Sequence, residues 1–514
     1  MLLHYNKWAI NPMSEPPLSA NIDRSSPIPI YHQLKTLIRN NIMNGAWQPG
    51  DAIPTEQELC QIYKISRSPV RQALSELARE GILVRRPGLG TFVHKQIGTS
   101  HPTDTQIQVM GSDPYWSQVL EHVADIWNET HPDQKVSFHV DVVEHGQFHN
   151  LLSAAVGDGT APDVAMVDSV WTADLAQAGF LYSLEELDSA WDYAKFVRGL
   201  HTAFVKANSV DGKMYGIPLK ADASLLWYRK DWFDQESLSA PQDWDNLVAV
   251  ASRFLEPDVQ ERYGLDYPLA FPGGVAGGEA TVYSLMPFIW SAGGGILDQE
   301  AKCIVLDSPG TQRALQFVRD LVTLHHVTSP EVTRYDEHTT LSKLVDGGVA
   351  IALGGSHESD VILDMEGWED EEFKHRVGYT ASPHTPDGSQ VSTVGGTSYV
   401  ILRQSSNPTL ILEILKLAVN PNAVGDLYRS LLQNSPYLSF DGFINPKADP
   451  LLTQVSRLIA SGRARPSIPE YFKVSRQLQV MFEAAISNTE PIDKIVRRTA
   501  EFLSVITDLP CRSA

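Results

Sequence analysis

Between Pro29 and Ile42 the apolar residues Ile30, Leu34, Leu37, Ile38 and Ile42 recur at three- and four-residue intervals. They predict one stripe of a first helix, ended by the turn residues Asn44-Gly45 and Pro49-Gly50. A second, short helix is expected from Thr55, where Thr55 and Glu58 have the spacing of a capping box, through Leu59 and Ile62 to Lys64. A third follows Ile65, with Ser66 or Ser68 as its cap. Its buried stripe is Val70, Ala73, Leu74, Leu77 and Ala78, and Arg67, Arg71, Gln72, Ser75 and Arg79 take the opposite face. Pro69 is compatible, because first-turn amides have no helical partner. After Gly81, Ile82-Leu83-Val84 and Thr91-Phe92-Val93 read as strands around the basic turn Arg85-Arg86-Pro87-Gly88-Leu89-Gly90. Three helices and a basic hairpin predict an α+β winged helix-turn-helix.

Beyond it the period disappears: Gln96 to Thr105 is polar and rich in breakers, a linker. Strand Ile107–Met110, a helix with Val119, Leu120, Val123, Ala124 and Trp127 on its apolar side, and strand Lys135–Val142 then open an α/β sheet. Ligands of such sheets gather beyond the carboxyl ends of strands, which makes residues 111 to 116 candidates. A helix over His149–Val156 leads through Gly157-Asp158-Gly159 to a buried strand ending at Asp168.

Charge sharpens this division. The 514 residues carry a formal net charge of -21, yet residues 1 to 98 hold 11 Lys+Arg and 7 Asp+Glu, leaving 30 basic and 55 acidic residues for the remainder. A basic module on an acidic body suits contact with nucleic acid by the module alone. The three cysteines, Cys60, Cys303 and Cys511, are too few and too scattered for a disulfide framework or a metal site, which points to a reducing compartment. The first 23 residues lack the apolar run of a signal peptide, and no stretch is long and apolar enough to span a membrane, so a cytoplasmic location without membrane contact is expected.

The motifs Pro54-Thr55-Glu56-Gln57-Glu58-Leu59, Ser66-Arg67-Ser68-Pro69-Val70-Arg71-Gln72-Ala73-Leu74 and Gly88-Leu89-Gly90-Thr91-Phe92-Val93, in that order, resemble the GntR-type regulators. The resemblance implies that Ser66, Arg67, Ser68 and Arg71 approach double-stranded operator DNA from the third helix, and that Gly88 and Gly90 let the wing reach a minor-groove edge beside Arg85 and Arg86. Pro69 departs from the small polar residue usual at its position. The chemistry agrees, since Arg can grip guanine with two hydrogen bonds and Ser can hold phosphate. The alternative for these residues is a solvated helix face and a charged strand edge.

Downstream, Ala161-Pro162-Asp163-Val164-Ala165-Met166-Val167-Asp168, Gly212-Lys213-Met214-Tyr215-Gly216-Ile217-Pro218, Phe288-Ile289-Trp290-Ser291-Ala292-Gly293-Gly294, Gly395-Gly396-Thr397-Ser398-Tyr399 and Arg465-Pro466-Ser467-Ile468-Pro469 resemble family 1 extracellular solute-binding proteins, the maltose-type receptors. The resemblance implies two α/β lobes with a ligand in the cleft between them, and crossings near Ile217–Asp222, near Tyr379–His384 and around 430 to 445. Carried over by position, the ligand-binding candidates are Ser112, Asp113, Trp116, Asp168, Ser169, Trp171, Asp222, Tyr283, Trp290 and His357. Sugars want aromatic platforms and carboxylates. Accordingly the Asp residues would accept hydroxyls, and Trp171, Tyr283, Trp116 or Trp290 would stack on ring faces. Trp227, Trp232 and Trp244 are expected in the core; Trp290 is open between core and site, and His357 between site and surface loop.

The expected organisation is a flexible extension over 1–24, a DNA-binding domain over 25–96, a linker over 97–105 and a two-lobed sensor over 106–510. The expected protein is a non-enzymatic, homodimeric transcription regulator that takes a small effector, a mono- or oligosaccharide, with no cofactor and no metal. Two rivals remain at this stage: a body that only mediates dimerisation, and a pyridoxal-phosphate aminotransferase-like body. For the latter no fitting context surrounds Lys220, Lys230 or Lys343.

Overall fold

The Thr55 hydroxyl accepts the N–H of Glu58, while the Glu58 carboxylate accepts the Thr55 N–H at 2.7 Å and its hydroxyl at 2.8 Å. This reciprocal pair opens helix α2, Glu56–Tyr63, and Lys64 closes it in the left-handed conformation at φ 54°. The computed structural model describes residues 22, 24, 30–43, 46–79, 82–86, 90–93, 105–112, 116–143, 145–298, 301–366, 370–431 and 433–512, without the side chains of a few, Ser68 and Trp116 among them. Most of the expected extension and linker, and the wing tip with Gly88, lie outside these residues. By contacts the chain divides into two compact units, Met1–Thr105 with Ser153–Ala161, and Gln106–Leu152 with Pro162–Ala514.

In the first unit, α1 (Ile30–Met43), α2 and α3 (Arg67–Arg79) bury the predicted stripes: Leu34, Ile38, Leu59, Val70, Ala73, Leu74 and Leu77 share one core with Trp47, Ile53, Leu83 and Val93. Strands β1 (Leu83–Arg86) and β2 (Gly90–Val93) pair antiparallel, with Arg85 opposite Thr91 and Arg86 opposite Gly90. Both strands therefore extend into the segment read as turn, so Arg85 and Arg86 are strand residues. The chain at Gly50–Ile53 joins the same hairpin, the Gly50 N–H donating to Val93 O and the Ile53 N–H to Thr91 O.

The second unit contains two sheets. In the first lobe, β3 (Thr105–Gly111), α4 (Trp116–Thr130), β4 (Val136–Val142), α5 (His145–Asp158) and β5 (Val164–Asp168) follow in order. After the small hairpin of β6 (Ser209–Val210) and β7 (Lys213–Met214), β8 (Gly216–Pro218) completes a sheet ordered β4-β3-β5-β14-β8, in which β14 is Thr397–Ile401. All five residues of β5 are buried, as a strand covered on both faces requires. The second lobe is built on β9, Asp222–Arg229, which pairs antiparallel with β11 (Ile351–Gly355), β12 (Val377–Ala381) and β13 (Thr393–Gly395). Strand β10 (Leu269–Ala270) flanks β11, and β15 (Arg463–Ala464) flanks β13. Along β9, Leu225 and Trp227 enter one core and Leu226 another, so this sheet too is covered on both faces. Trp227, Trp232 and Trp244 are buried there, as expected.

The lobes are joined where β8 runs into β9 through Leu219–Ala221 and where β13 runs into β14 through Gly396. The second crossing is not at Tyr379–His384: β12 stays in the second sheet, opposite Leu225–Arg229. The two connections lie side by side, Leu219 N–H donating to Thr397 O at 2.8 Å. Gly396 has φ +150°, and a Cβ there would sit 1.9 Å from the Lys220 carbonyl oxygen, so only glycine passes. The stretch expected as a third crossing contains Asn434, whose carbonyl accepts the Ala221 N–H at 2.9 Å; helix Pro450–Ser461 then packs in the second lobe.

Replacing Leu74, 1% exposed in the winged-helix core, by alanine is expected to cost about 2 to 5 kcal/mol in urea unfolding of the first unit. The exposed Ser75→Ala change should stay within about 0.5 kcal/mol.

Candidate DNA-binding face and ligand site

The outer face of α3 presents charge without satisfying it. Arg67 and Arg71 are exposed and have no ion-pair partner among the described residues, and Ser66, just before the helix, is exposed as well. The Ser68 side chain lies outside the described residues. On the hairpin, Arg85 lies 3.7 Å from the Glu56 carboxylate, and the Arg86 guanidinium sits 5.0 Å from the centre of the Phe92 ring. Gly90 occupies φ +117°, a conformation an L side chain rarely adopts, and is exposed.

In the second unit, four of the ten ligand candidates converge. Asp168 ends β5, Asp222 begins β9, Tyr283 lies on helix Glu279–Ser291, and His357 follows β11. The Tyr283 hydroxyl donates to Asp222 Oδ1 at 2.6 Å, and the His357 ring stands edge-on to Tyr283 at 5.7 Å. Burial, with the Asp222 charge, holds Tyr283 well above the usual phenol range, so it remains a donor. Gly395 lets these groups meet: a Cβ there would be 2.8 Å from Asp222 Oδ1 and 3.0 Å from the Tyr283 ring.

The group that ties Asp168 to this cluster is Arg465, which carried no assigned role in the sequence. Its side chain is 2% exposed, and its Nη2 donates to both Asp168 oxygens at 3.2 Å. Its Nη1 donates to Glu279 Oε1, and the guanidinium lies 5.3 Å from the centre of the Tyr283 ring. Glu279 in turn accepts hydrogen bonds from the Tyr471 and Ser475 hydroxyls. One signal could have flagged Glu279: it heads a helix in which Thr281 to Ser291 are all buried, so its charge had to be met inside the protein.

The His357 Nε2–H donates to Glu337 Oε1 at 2.9 Å, while its Nδ1 is buried without a partner among the described residues. Burial works against its charge, but Glu337, with Asp222 and Glu358 nearby, outweighs that and raises the imidazole to about 10. The neighbouring Glu358 is pushed up to about 8, by burial first and then by Glu337, and receives the Trp227 indole N–H at 2.8 Å. Glu337, His357 and Glu358 place one donor atom each within 4.8 Å of one another. Of these residues, Glu337 is hydrogen-bonded to His357 and Glu358 accepts from Trp227.

The remaining candidates are dispersed. Ser112 follows β3 and is half-buried; Asp113 and the Trp116 side chain lie outside the described residues. Ser169 is buried, and its N–H donates to Gly396 O. Trp171 is 5% exposed, stacked on Phe148 at 5.9 Å and edge-on to His149 at 5.8 Å, so protein rings cover part of its surface. Trp290 is 8% exposed in the second-lobe core and also lines a cavity of about 1040 Å³ that Arg465 borders.

Comparison with known proteins places these units. Residues 110–424 match the model of the bacterial extracellular solute-binding proteins, and residues 30–93 that of the bacterial regulatory proteins of the gntR family. A binding protein of Brucella abortus (strain 2308) is 25% identical over 288 residues, 56% of this chain and 64% of that protein. The HTH-type transcriptional repressor NagR of Bacillus subtilis (strain 168) is 49% identical over 75 residues, 15% of this chain and 31% of that protein. The chain thus spans less than two thirds of either relative. The second unit shares its fold with an ABC transporter solute-binding protein of Thermotoga lettingae TMO bound with α-D-tagatose (TM-score 0.67, 21% identity, 79% of this chain and 100% of that one). It shares it also with maltose-bound MalE3 of T. maritima (TM-score 0.65, 24% identity, 78% and 100%).

Two outcomes follow from the buried charges. Arg465→Met leaves Asp168 and Glu279 facing each other unpaired and is expected to destabilise the second unit by about 3 to 5 kcal/mol in chemical denaturation. Because Glu358 binds its proton more tightly folded than unfolded, stability should fall as pH rises from about 4.5 through about 8; Glu358→Gln, which mimics the protonated acid, should flatten that part of the profile.

Proposed function

The chain belongs to the bacterial extracellular solute-binding protein family and carries a gntR-family winged helix at its N-terminal end, and we propose that it is a ligand-responsive, DNA-binding transcription regulator. The observation that carries this reading is the presence of both folds on one polypeptide, with exposed Arg67 and Arg71 on α3 and a buried polar cluster between the lobes of the second unit. In the proposed division, 25–96 binds operator DNA, 97–105 links, and 106–510 senses a small molecule, with the protein working in the cytoplasm as a homodimer and not as an enzyme.

On the DNA side, Arg67 and Arg71 reach base edges from the major groove, Ser66 and Ser68 hold phosphate, and Arg85, Arg86, Gly88 and Gly90 form the wing contact. A dimer would read half-sites about 34 to 36 Å apart. On the sensor side, Asp168, Asp222, Tyr283 and His357 form the polar floor of the site, with Ser112, Asp113, Ser169 and the rings of Trp116, Trp171 and Trp290 as further contacts. A carbohydrate effector agrees with this mixture of carboxylates and aromatic rings, and with the tagatose and maltose held by the two solved proteins of the same fold. Ligand can alter operator binding only through different affinity for the lobes' open and closed arrangements, and the Arg465–Asp168 pair is a contact that such a change must break or make.

The test is fluorescence anisotropy of the full chain on DNA upstream of its own and neighbouring genes, at fixed salt, with and without a sugar panel. Selective binding that one sugar shifts is expected; no selective binding to any fragment would overturn the reading. Arg71→Ala should lose about 1 to 3 kcal/mol of discrimination at the base pair it reads.

A further inference from the structure

The second unit is set in a strongly acidic body, yet its cavity of about 1040 Å³ is bordered by cations. Lys206, Arg463, Arg465 and Arg512 line it, against two acids, Asp298 and Asp307. The acids keep their charge, and each is hydrogen-bonded by its own neighbours. Asp298 Oδ1 accepts the N–H groups of Lys302 at 2.7 Å and Cys303 at 3.2 Å; Asp307 Oδ1 accepts from the Gln312 amide at 3.2 Å. Of the cations, Arg465 is ion-paired and the other three have no ion pair among the described residues. Lys206 and Arg463 are exposed and have no side-chain partner among the described residues, and Arg512 meets only the Cys303 sulfur, at 4.0 Å, while its charge is felt by Asp298. Arg465 spends its two Nη groups on Asp168 and Glu279, but its buried Nε–H has no acceptor. A buried donor left unpaired costs free energy that an incoming acceptor would return.

The same cavity offers more than charge. Trp290 forms part of its wall, and Ser308, the cap of helix Pro309–Thr323, forms another. Between them runs the backbone of Gly293–Gly295: Gly293 is exposed at φ +83°, while Gly294 is buried against helix Pro309–Thr323, where a Cβ would fall 2.6 Å from the Thr311 hydroxyl. An aromatic wall, a hydroxyl and bare backbone suit a polyhydroxylated ring, and the volume matches the upper end of small-molecule sites.

We propose that this cavity takes an anionic carbohydrate, a sugar bearing a phosphate or a carboxylate. Its charged group faces Lys206, Arg463 and the Arg465 Nε–H, and its ring lies against Trp290. The inference rests on the sensor reading above and adds to it a ligand class and a second place of contact: the cavity shares Trp290 with the site proposed there and meets it at Arg465, while Asp168, Asp222, Tyr283 and His357 do not line it. It also supplies a route for the signal: an anion on Arg465 competes with Asp168 for the guanidinium that joins the two lobes.

The test is isothermal titration of the full chain, at low fixed salt, with hexose phosphates, pentose phosphates, uronates, their neutral parent sugars and inorganic phosphate. One or more anionic sugars should bind at least about tenfold more tightly than its neutral parent and than inorganic phosphate, with affinity falling as salt rises. Because Lys206 and Arg463 are exposed, the double variant Lys206→Gln, Arg463→Gln should keep its melting temperature and lose that preference. Equal binding of neutral parents, equal binding of inorganic phosphate, an unchanged preference in the double variant, or no binding of any anionic sugar would each overturn the proposal. An operator response to a neutral sugar in the same preparation would then leave the regulator reading standing. Phosphates and uronates in separate arms identify which anion the site prefers.

Discussion

A guanidinium that keeps only 2% of its surface in water must be met by opposite charge, and the second unit is arranged so that Arg465 is met from both lobes. Asp168 comes from the last position of a fully buried strand in one sheet, and Glu279 from the head of a buried helix in the other. Neither carboxylate could be tolerated at its depth without the cation, nor the cation without them. Tyr471 and Ser475 saturate the remaining oxygens of Glu279, and Tyr283 lies beneath the guanidinium while donating to Asp222. The groups of this buried cluster are therefore the groups that hold the lobes to each other.

That arrangement depends on backbone that side chains would obstruct. The connections between the lobes touch at Gly396 and Lys220, and the cluster of Asp222, Tyr283 and Arg465 closes over Gly395. Two adjacent glycines thus do different jobs. Gly396 permits a left-handed backbone beside a neighbouring carbonyl, and Gly395 removes the side chain that would part a carboxylate from a phenol. In the first unit no such close approach is needed within the helices, and ordinary amphipathic stripes suffice to build the core.

Legibility follows the same line. The three helices, the capping box at Thr55 and the hairpin could be read because each is written in residues three, four or two positions apart. The strand ends at Arg85 and Arg86 were misjudged because Pro87 and the glycines beside it read as turn. Of the cluster in the second unit, Asp168, Asp222, Tyr283 and His357 were picked out by their position in motifs shared with solute receptors. Arg465, Glu279 and Glu358 were missed, since each derives its meaning from partners far away in the chain, 297 residues between Asp168 and Arg465. The same limit misplaced the second crossing. A crossing was expected near Tyr379–His384, but the strand there, Val377–Ala381, is held in the second sheet by its pairing with Leu225–Arg229.

The amino-acid sequence by itself determined the elements of the winged helix and of the first α/β units, the basic module on an acidic body and the arginine face of the third helix, because periodicity, capping and charge balance are local sums; the two-lobed fold was legible only through motifs that resemble solute receptors. Only the tertiary structure decided which carboxylates meet Arg465, why Gly395 and Gly396 are glycines, how far Trp171 is covered by Phe148, and that Lys206, Arg463 and Arg512 gather around one cavity. Those are distances between residues remote in the chain, and they come into being only when the two sheets are packed and the connections between them are laid side by side.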